Sequence, residues 1–463
     1  MTKGNKIRKN AKKELTKGNS DQQFSERKKR ISKLLEKEMK KRTHRKKTIG
    51  FRELTMNHRE LILSPSYKVR SRKRAADFTR ERKMPFAQLV CFMLNMLKQS
   101  TQTSLDRFFE LTGREDMHMS QQAFSEARQK LKWEACRELM DASVSGVYRG
   151  GFNTWHGYRV WAIDGSKMQL PSEAELRGIF GKAGCSEGGS AVTAQASCLY
   201  DVLNDIIADA YLEPIHTDER SLCLRHLKHL CGMESFGKEL LIMDRGYASA
   251  ELVEAFLRSN VRFLMRVRKK FNLDIDKLPV GDHRCMLGQM PIRVIKLLLP
   301  SGEIETLMTD LFDKRMGENS FRALYFTRWP IETKYGELKH KLEIENFSGR
   351  TKEAVYQDFY ITAYLSNMIA VAANEAKPVL DEINENHENA YNYKVNKNHA
   401  VGVFKDRFIM ALLEDNDRKR ARAAYKILRL LPYHATPIRP HRLTPRNPCP
   451  RNANFHFNHK SNC

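Results

Sequence analysis

Tyr325, Arg328, Glu332 and Lys339 follow the spacing Y-x2-R-x3-E-x6-K. On an α-helix, at 100° per residue, they fall within roughly 60° of one another. One stripe then carries a phenol, a guanidinium, a carboxylate and an ammonium. A carboxylate can hold a divalent cation, and arginine and lysine can hold phosphates. A core-facing stripe has no use for that mixture; a phosphate-handling metal site does. Two further acids stand out by placement. Asp164 follows the apolar run Tyr158–Ile163 and Asp244 follows Leu240–Met243. Both runs read as strands, and an acid at a strand's end projects into the crevice where α/β proteins place their sites. Three convergent carboxylates suit Mg²⁺ or Mn²⁺. Two such ions about 3.5–4 Å apart serve an in-line phosphoryl displacement. Taken singly, each acid has a plainer reading. Asp164-Gly165 makes a turn, Asp244 pairs with Arg245, and Glu332 pairs with Lys339 on a wet helix face.

The elements needed to bring these acids together are legible in order. Val192–Tyr200 and Ile206–Leu212 read as strands joined by a turn at Asn204-Asp205. Glu219–Cys231 and Ala250–Ser259 read as helices, and Val261–Val267 as a strand. Residues 268–315 alternate apolar and polar side chains and carry the turn signal Pro300-Ser301-Gly302, so they read as a β-rich insert. Residues 320–347 read as one helix bearing the stripe, with Pro330 tolerated only near a helix start. Ala354–Ala376 is an apolar helix. Upstream, Pro85–Lys98, Ser104–Leu111 and Gln121–Lys132 read as helices, the last capped by Ser120. Gln121, Gln122, Ser125, Arg128 and Lys132 are residue types that reach bases and phosphates, so this helix pair is either a DNA reader or part of a small helical bundle. Trp155, Trp161 and Trp329 read as core residues.

Charge separates the ends from the middle. Of a net +26, residues 1–50 carry +14 and residues 418–463 carry +11. Basic ends on a nearly neutral body point to a polyanion, and nucleic acid fits better than lipid, whose binding usually shows an amphipathic or lipidated element. The first 50 residues lack a core pattern and are expected to be a disordered arm. The C-terminal stretch turns polar, then basic and proline-rich, and is expected to be irregular. Nine cysteines without a C-x-x-C pair give neither a disulfide framework nor a zinc site, and fit a reducing cytoplasm. No apolar run is long enough for a membrane span, and the N-terminus carries no secretory signal.

With these residues in hand, the chain resembles the DDE transposases of the insertion sequence four family, the group marked by a Y-R-E-K motif around the third acid. The matching stretches are Trp161–Ser166, Ile242–Tyr247 and Tyr325–Lys339. Supporting matches are Leu199–Val202, Ala208–Ala210, Asp218–Arg220 and Gln122–Arg128, so that the resemblance spans about residues 75–375. It implies an α/β, RNase-H-like catalytic core with a β-strand insertion in the interval between Asp244 and Glu332, which stand 88 positions apart. It also implies that Asp164, Asp244 and Glu332 are catalytic and bind Mg²⁺, or Mn²⁺, and that Tyr325, Arg328 and Lys339 bind DNA phosphates. The reaction implied is cleavage at the ends of an insertion sequence followed by strand transfer, commonly through a hairpin intermediate. The partners are then double-stranded DNA, as terminal inverted repeats and target, and a second copy of the chain in a homodimer, in the cytoplasm at the nucleoid. The expected organisation is a basic arm over 1–50, a helical DNA-binding domain over 51–150, the catalytic domain over 151–376 and a basic region over 377–463. Two rivals share the acids or the charge: an RNase-H-like nuclease without strand transfer, and a non-catalytic DNA-binding relative.

Overall fold

Strand β1 (Arg159–Gln169) is the hub of the molecule. The computed structural model describes residues 49–80, 82–95, 100–184, 190–299, 301–385 and 391–439. The basic arm up to residue 48 and the tail from 440 lie outside them. On one side β1 pairs antiparallel with β3 (Ser190–Asp201), which pairs antiparallel with β4 (Ile206–Pro214) and, near its start, with the short β2 (Lys182–Gly184). On the other side β1 runs parallel to β5 (Glu239–Met243), and β5 runs parallel to β6 (Arg262–Val267). The parallel steps need crossovers, supplied by α8 (Glu219–Cys231) and α9 (Ala250–Arg258). The result is a mixed α/β sheet.

The segment expected to be β-rich forms β7 (Gly281–Leu287), β8 (Met290–Leu298) and β9 (Ile304–Thr309), preceded by one helical turn, α10 (Leu273–Lys277). These strands do not stand apart. β9 pairs with β6, and β8 and β7 follow, so they continue the same sheet. Between β1 and β2 lies a short helix, α7 (Ala174–Phe180), which the sequence reading did not anticipate.

The register of β1 on β5 is pinned at its start. Arg159 is paired with Glu239, and both side chains are buried. Arg159 Nε donates to Glu239 Oε2 at 3.0 Å, and Trp161 Nε1 donates to the same oxygen at 2.7 Å. A one-residue slip would separate these partners inside the core, leaving a buried charge unpaired.

Helices α1 (Phe51–Leu63), α2 (Pro65–Ser71), α3 (Phe86–Met93), α4 (Thr101–Leu111), α5 (Gln121–Gln129) and α6 (Glu134–Tyr148) precede the sheet. The Ser120 cap is present, its hydroxyl accepting from Ala123 N at 3.2 Å. One side chain of this region departs from expectation. Arg128 is buried, with Nη2 donating to Ala354 O at 2.9 Å and to Asp358 Oδ1 at 2.6 Å, so it ties helices together and is withheld from DNA. Gln121, Gln122 and Ser125 remain exposed, and Lys132 is half-buried.

Helices α11 (Glu318–Phe326) and α12 (Pro330–His340) replace the single expected helix, and α13 (Lys352–Glu385) follows. α13 is buried along most of its length, as a helix apolar on most faces must be. It packs against α6 and β4, so one hydrophobic core joins the early helices to the sheet. The region after α13, expected to be irregular, folds into α14 (Lys397–Phe404), α15 (Arg407–Leu413) and α16 (Asp417–Tyr433). Ile427, Leu428 and Leu431 of α16 face the core between outward arginines and lysines, which is why a basic segment still forms a packed helix. Trp161 is buried and Trp155 half-buried, whereas Trp329, expected in the core, is 48% exposed. No helix among the described residues is long and apolar enough to cross a membrane.

Candidate active site

Asp164 and Asp244 are equivalent positions on neighbouring parallel strands. The last β1–β5 pair is Ala162 with Ile242, and each aspartate lies two residues beyond its member of that pair. Residues two apart on a strand share a face, and adjacent strands lie about 4.8 Å apart, so the two aspartates emerge side by side. Asp244 follows β5 directly, as expected. Asp164 does not end its strand. β1 continues to Gln169, with Asp164 held opposite Cys198 on β3. The acid therefore sits where β1 leaves β5 while still laddered to β3. Its strand-like backbone is imposed by β3 rather than by the local sequence Asp164-Gly165-Ser166.

The third acid arrives from above the same sheet face. Ala162 shares a core with Ile331, Tyr335 and Leu338 of α12, and Ile242 shares one with Phe321, Leu324 and Tyr325 of α11. Tyr335 Oη donates to the backbone oxygen of Asp164 at 2.9 Å, which fixes α12 on β1. Glu332 lies in the first turn of α12 with its side chain 41% exposed.

The predicted four-residue stripe does not lie on one helix. Pro330 has no amide to donate, and its ring excludes the preceding turn. Around it the backbone uses tighter bonds: Thr327 N to Leu324 O, Arg328 N to Tyr325 O and Trp329 N to Phe326 O, each spanning three residues. Pro330 then opens α12 at a position where proline is tolerated. Tyr325 thus ends one helix, Arg328 sits in the joint, and Glu332 and Lys339 belong to the next.

The joint places Arg328 among the acids. Its Nη2 donates to Glu332 Oε1 at 2.8 Å, and its side chain is nearly buried. Burial works against the guanidinium charge, but Glu332 with Tyr325 and Asp244 raises its pKa overall. The Arg328 Nε atom is buried with no hydrogen-bond partner. Burial also pushes the Asp164 carboxyl up to about 6; the Gly165 amide and Arg328 oppose this, and the charges of Glu219 and Glu332 add to it. Tyr325 Oη points to Asp244 Oδ1 at 3.4 Å, and burial, with Asp244 beside it, lifts its pKa to about 12. Lys339 lies further along α12. Its Nζ donates to the backbone oxygen of Lys167 at 2.5 Å and stands 3.4 Å from Glu345 Oε1.

Among the described residues, no three Asp, Glu, His or Cys side chains are drawn together closely enough to hold a metal ion. The chemistry of the donors nevertheless fits a hard divalent cation. Burial, with the charges of Glu219 and Glu332 added to it, makes the Asp164 carboxyl hold its proton, and a bound cation would favour the ionised form. Tyr247, quoted in the sequence only as the end of Ile242–Tyr247 and given no role there, is buried near these acids with its hydroxyl unpartnered. Glu219, quoted only within Asp218–Arg220, stands close enough to Asp164 to raise its pKa. The sequence signal for Glu219 was its position just after the Asp218 helix cap, in the first turn of α8.

The chain is similar to known proteins in sequence and in structure. Residues 155–368 match the family model described as a transposase DDE domain. The chain is 23% identical over 315 residues to the transposase InsG for insertion sequence element IS4 of Escherichia coli strain K12, covering 63% of this chain and 70% of that protein. Among solved structures, a piggyBac transposase synaptic complex with hairpin DNA aligns with a TM-score of 0.46 and 11% identity, over 81% of this chain and 85% of that one.

Proposed function

We propose that the chain is a DDE transposase of the insertion sequence four family, a reading supported by its match to the transposase DDE domain and its similarity to the IS4 transposase, and that Asp164, Asp244 and Glu332 form its catalytic centre. It is a DNA transposase, an enzyme that cuts DNA and transfers strands. The observation that carries the assignment is the common register of the two aspartates past Ala162 and Ile242, with Glu332 brought over them by α12. The strand order β4-β3-β1-β5-β6, with three antiparallel strands and then two parallel ones, supports an RNase-H-like core extended by β7–β9. The helical region over 51–150 is then the DNA-binding domain, and 377–463 a basic region whose described part packs on the core.

Mg²⁺ is the cation we assign, with Mn²⁺ able to replace it, and Asp164, Asp244 and Glu332 would hold it. When bound, it supplies Lewis-acid stabilisation of the charge developing on the attacked phosphate. The chain's own groups do the rest. The carboxylates orient the attacking oxygen, from water in cleavage and from a DNA 3′-hydroxyl in strand transfer. As the new P–O bond forms, the P–O bond to the departing DNA oxygen breaks in line, and the nucleophile's proton passes to solvent. Arg328 clamps the phosphate through its unused Nε donor, and Tyr325 bears on the same side through its hydroxyl. Lys339 adds positive charge where the DNA end leaves the centre. Two DNA ends require two such centres, so a homodimer on terminal inverted repeats is the working assembly.

The test is a cleavage assay on DNA carrying the element's terminal repeats with Mg²⁺. Asp164→Asn should abolish cutting while leaving end binding intact. Undiminished cutting by that variant removes Asp164 from the centre.

A further inference from the structure

Near Asp164 stands a carboxylate that the three-acid centre does not account for. Glu219 begins α8, whose first turn is fixed by Asp218 Oδ2 accepting from Ser221 N at 2.8 Å. Its Oε1 accepts from Gln195 Nε2 of β3 at 3.1 Å, which aims the carboxylate at β1. The approach is close because residue 165 has no side chain. A β-carbon on Gly165 would lie 2.6 Å from Glu219 Oε1 and 2.4 Å from Gln195 Nε2. Glu219 is otherwise exposed, so its charge faces the cleft and not the core.

A second observation comes from a residue that is not an acid. Tyr247, three residues past Asp244, is 2% exposed, and its hydroxyl has no hydrogen-bond partner. The charges that bear on this phenol, after burial itself, include Glu219 first, then Asp164, and also Asp244. A buried hydroxyl near three carboxylates, yet bonded to none, is free to donate to a water or a phosphate oxygen held beside them.

We propose that Glu219 is a fourth carboxylate of the catalytic centre, sharing with Asp164 the hold on a divalent cation. Gln195 is its positioning residue, and Gly165 provides the room. The inference rests on the assignment of Asp164, Asp244 and Glu332 made above.

Mn²⁺ binding to the full-length protein, followed by the spectroscopic signal of free Mn²⁺, tests it without any DNA reaction. Glu219→Gln and Glu219→Ala should each weaken Mn²⁺ binding at least about tenfold, as loss of a supporting ligand does. Both changes are at an exposed position, and an unchanged unfolding temperature shows that the fold survives. Wild-type affinity in both variants overturns the proposal. Asp164→Asn is titrated in parallel. If Asp164→Asn loses binding while both Glu219 variants keep it, only the fourth carboxylate falls. If Asp164→Asn also binds as wild type does, the three-acid centre falls and this proposal with it.

Discussion

Arg159 and Glu239 form a buried ion pair on one registered step of β1 and β5, and five residues further along each strand the same register delivers Asp164 and Asp244. The pair sits at the far end of the strands from the acids, so its contribution to the site is alignment rather than contact. Glu239→Ala strands the Arg159 charge in the core, at a cost of roughly 3–5 kcal/mol. The expected outcome is a large drop in unfolding temperature, with DNA cleavage lost in proportion to the folded fraction or beyond it. Cleavage and unfolding temperature both at wild-type levels would show that the register is held elsewhere.

Arg328 is the internal cation of the site, bonded to Glu332 and close to Asp164 and Asp244. Removing it has opposite effects on two measurements. Arg328→Ala should bind Mn²⁺ more tightly, because a positive charge beside the acids is gone. The same variant should cut DNA about 10²–10³-fold more slowly, the usual loss when one preorganised phosphate donor is removed. Weaker Mn²⁺ binding would mean that Arg328 holds Glu332 in place for the metal instead of competing with it.

Gly165→Ala introduces a methyl group where Glu219 and Gln195 already stand. Asp164 is the adjacent residue, so the displacement reaches the centre directly. Cleavage should fall at least about tenfold. End binding, measured by gel shift without metal, should be unchanged. Equal losses in both would place Gly165 in the DNA interface.

Arg128 provides a test of structural against recognition roles. Its bonds run to Gln357, Ala354 and Asp358 within the core. Arg128→Ala should lower stability by roughly 3–5 kcal/mol, the range for breaking a buried charge pair. The affinity of the folded fraction for terminal-repeat DNA should not change. A specific loss of sequence discrimination would restore the residue to the DNA interface.

His58 sets a pH limit on stability. It is buried in α1 with Nδ1 2.9 Å from Tyr364 Oη, and burial lowers its pKa to about 4, opposed by the Ala142 backbone. Between pH 6.5 and about 4 the unfolded chain takes up a proton that the folded chain refuses. Stability from this residue is therefore complete above pH 6.5 and is lost as pH falls toward 4, by roughly 3 kcal/mol in all. Thermal unfolding at several pH values should show a shallower acid slope in His58→Leu than in the wild type. Equal slopes would assign the acid sensitivity to other groups.

Most strands and both crossover helices were legible, since β3 to β6, α8 and α9 combine apolar runs with clear caps and turns. The candidate site was legible as residue types, but its geometry was not. A strand reading stops at Asp164-Gly165-Ser166 because those residues suit turns; only the β3 ladder carries β1 through them. Residues 320–347 scan as one helix, and the break appears only where Pro330, lacking an amide, leaves the Phe326 carbonyl to a tighter bond from Trp329. Arg128 looked like a DNA-reading side chain because sequence gives no sign of Asp358, 230 residues away, as its partner. The C-terminal helices were obscured by their arginines and lysines, whose charges mask the apolar face of α16.

The shared register of the two aspartates also fixes which length changes the gene can accept. An inserted or deleted codon between Arg159 and Asp164, or between Glu239 and Asp244, rotates one acid to the opposite face of the sheet. The stretch from Asp244 to Glu332 has no such constraint, since it passes through hairpins at a sheet edge and returns by a helix joint. Distant homologues should therefore keep these two short spacings unchanged while the third varies by tens of residues, and a search pattern built on rigid and elastic intervals will find them where overall identity does not.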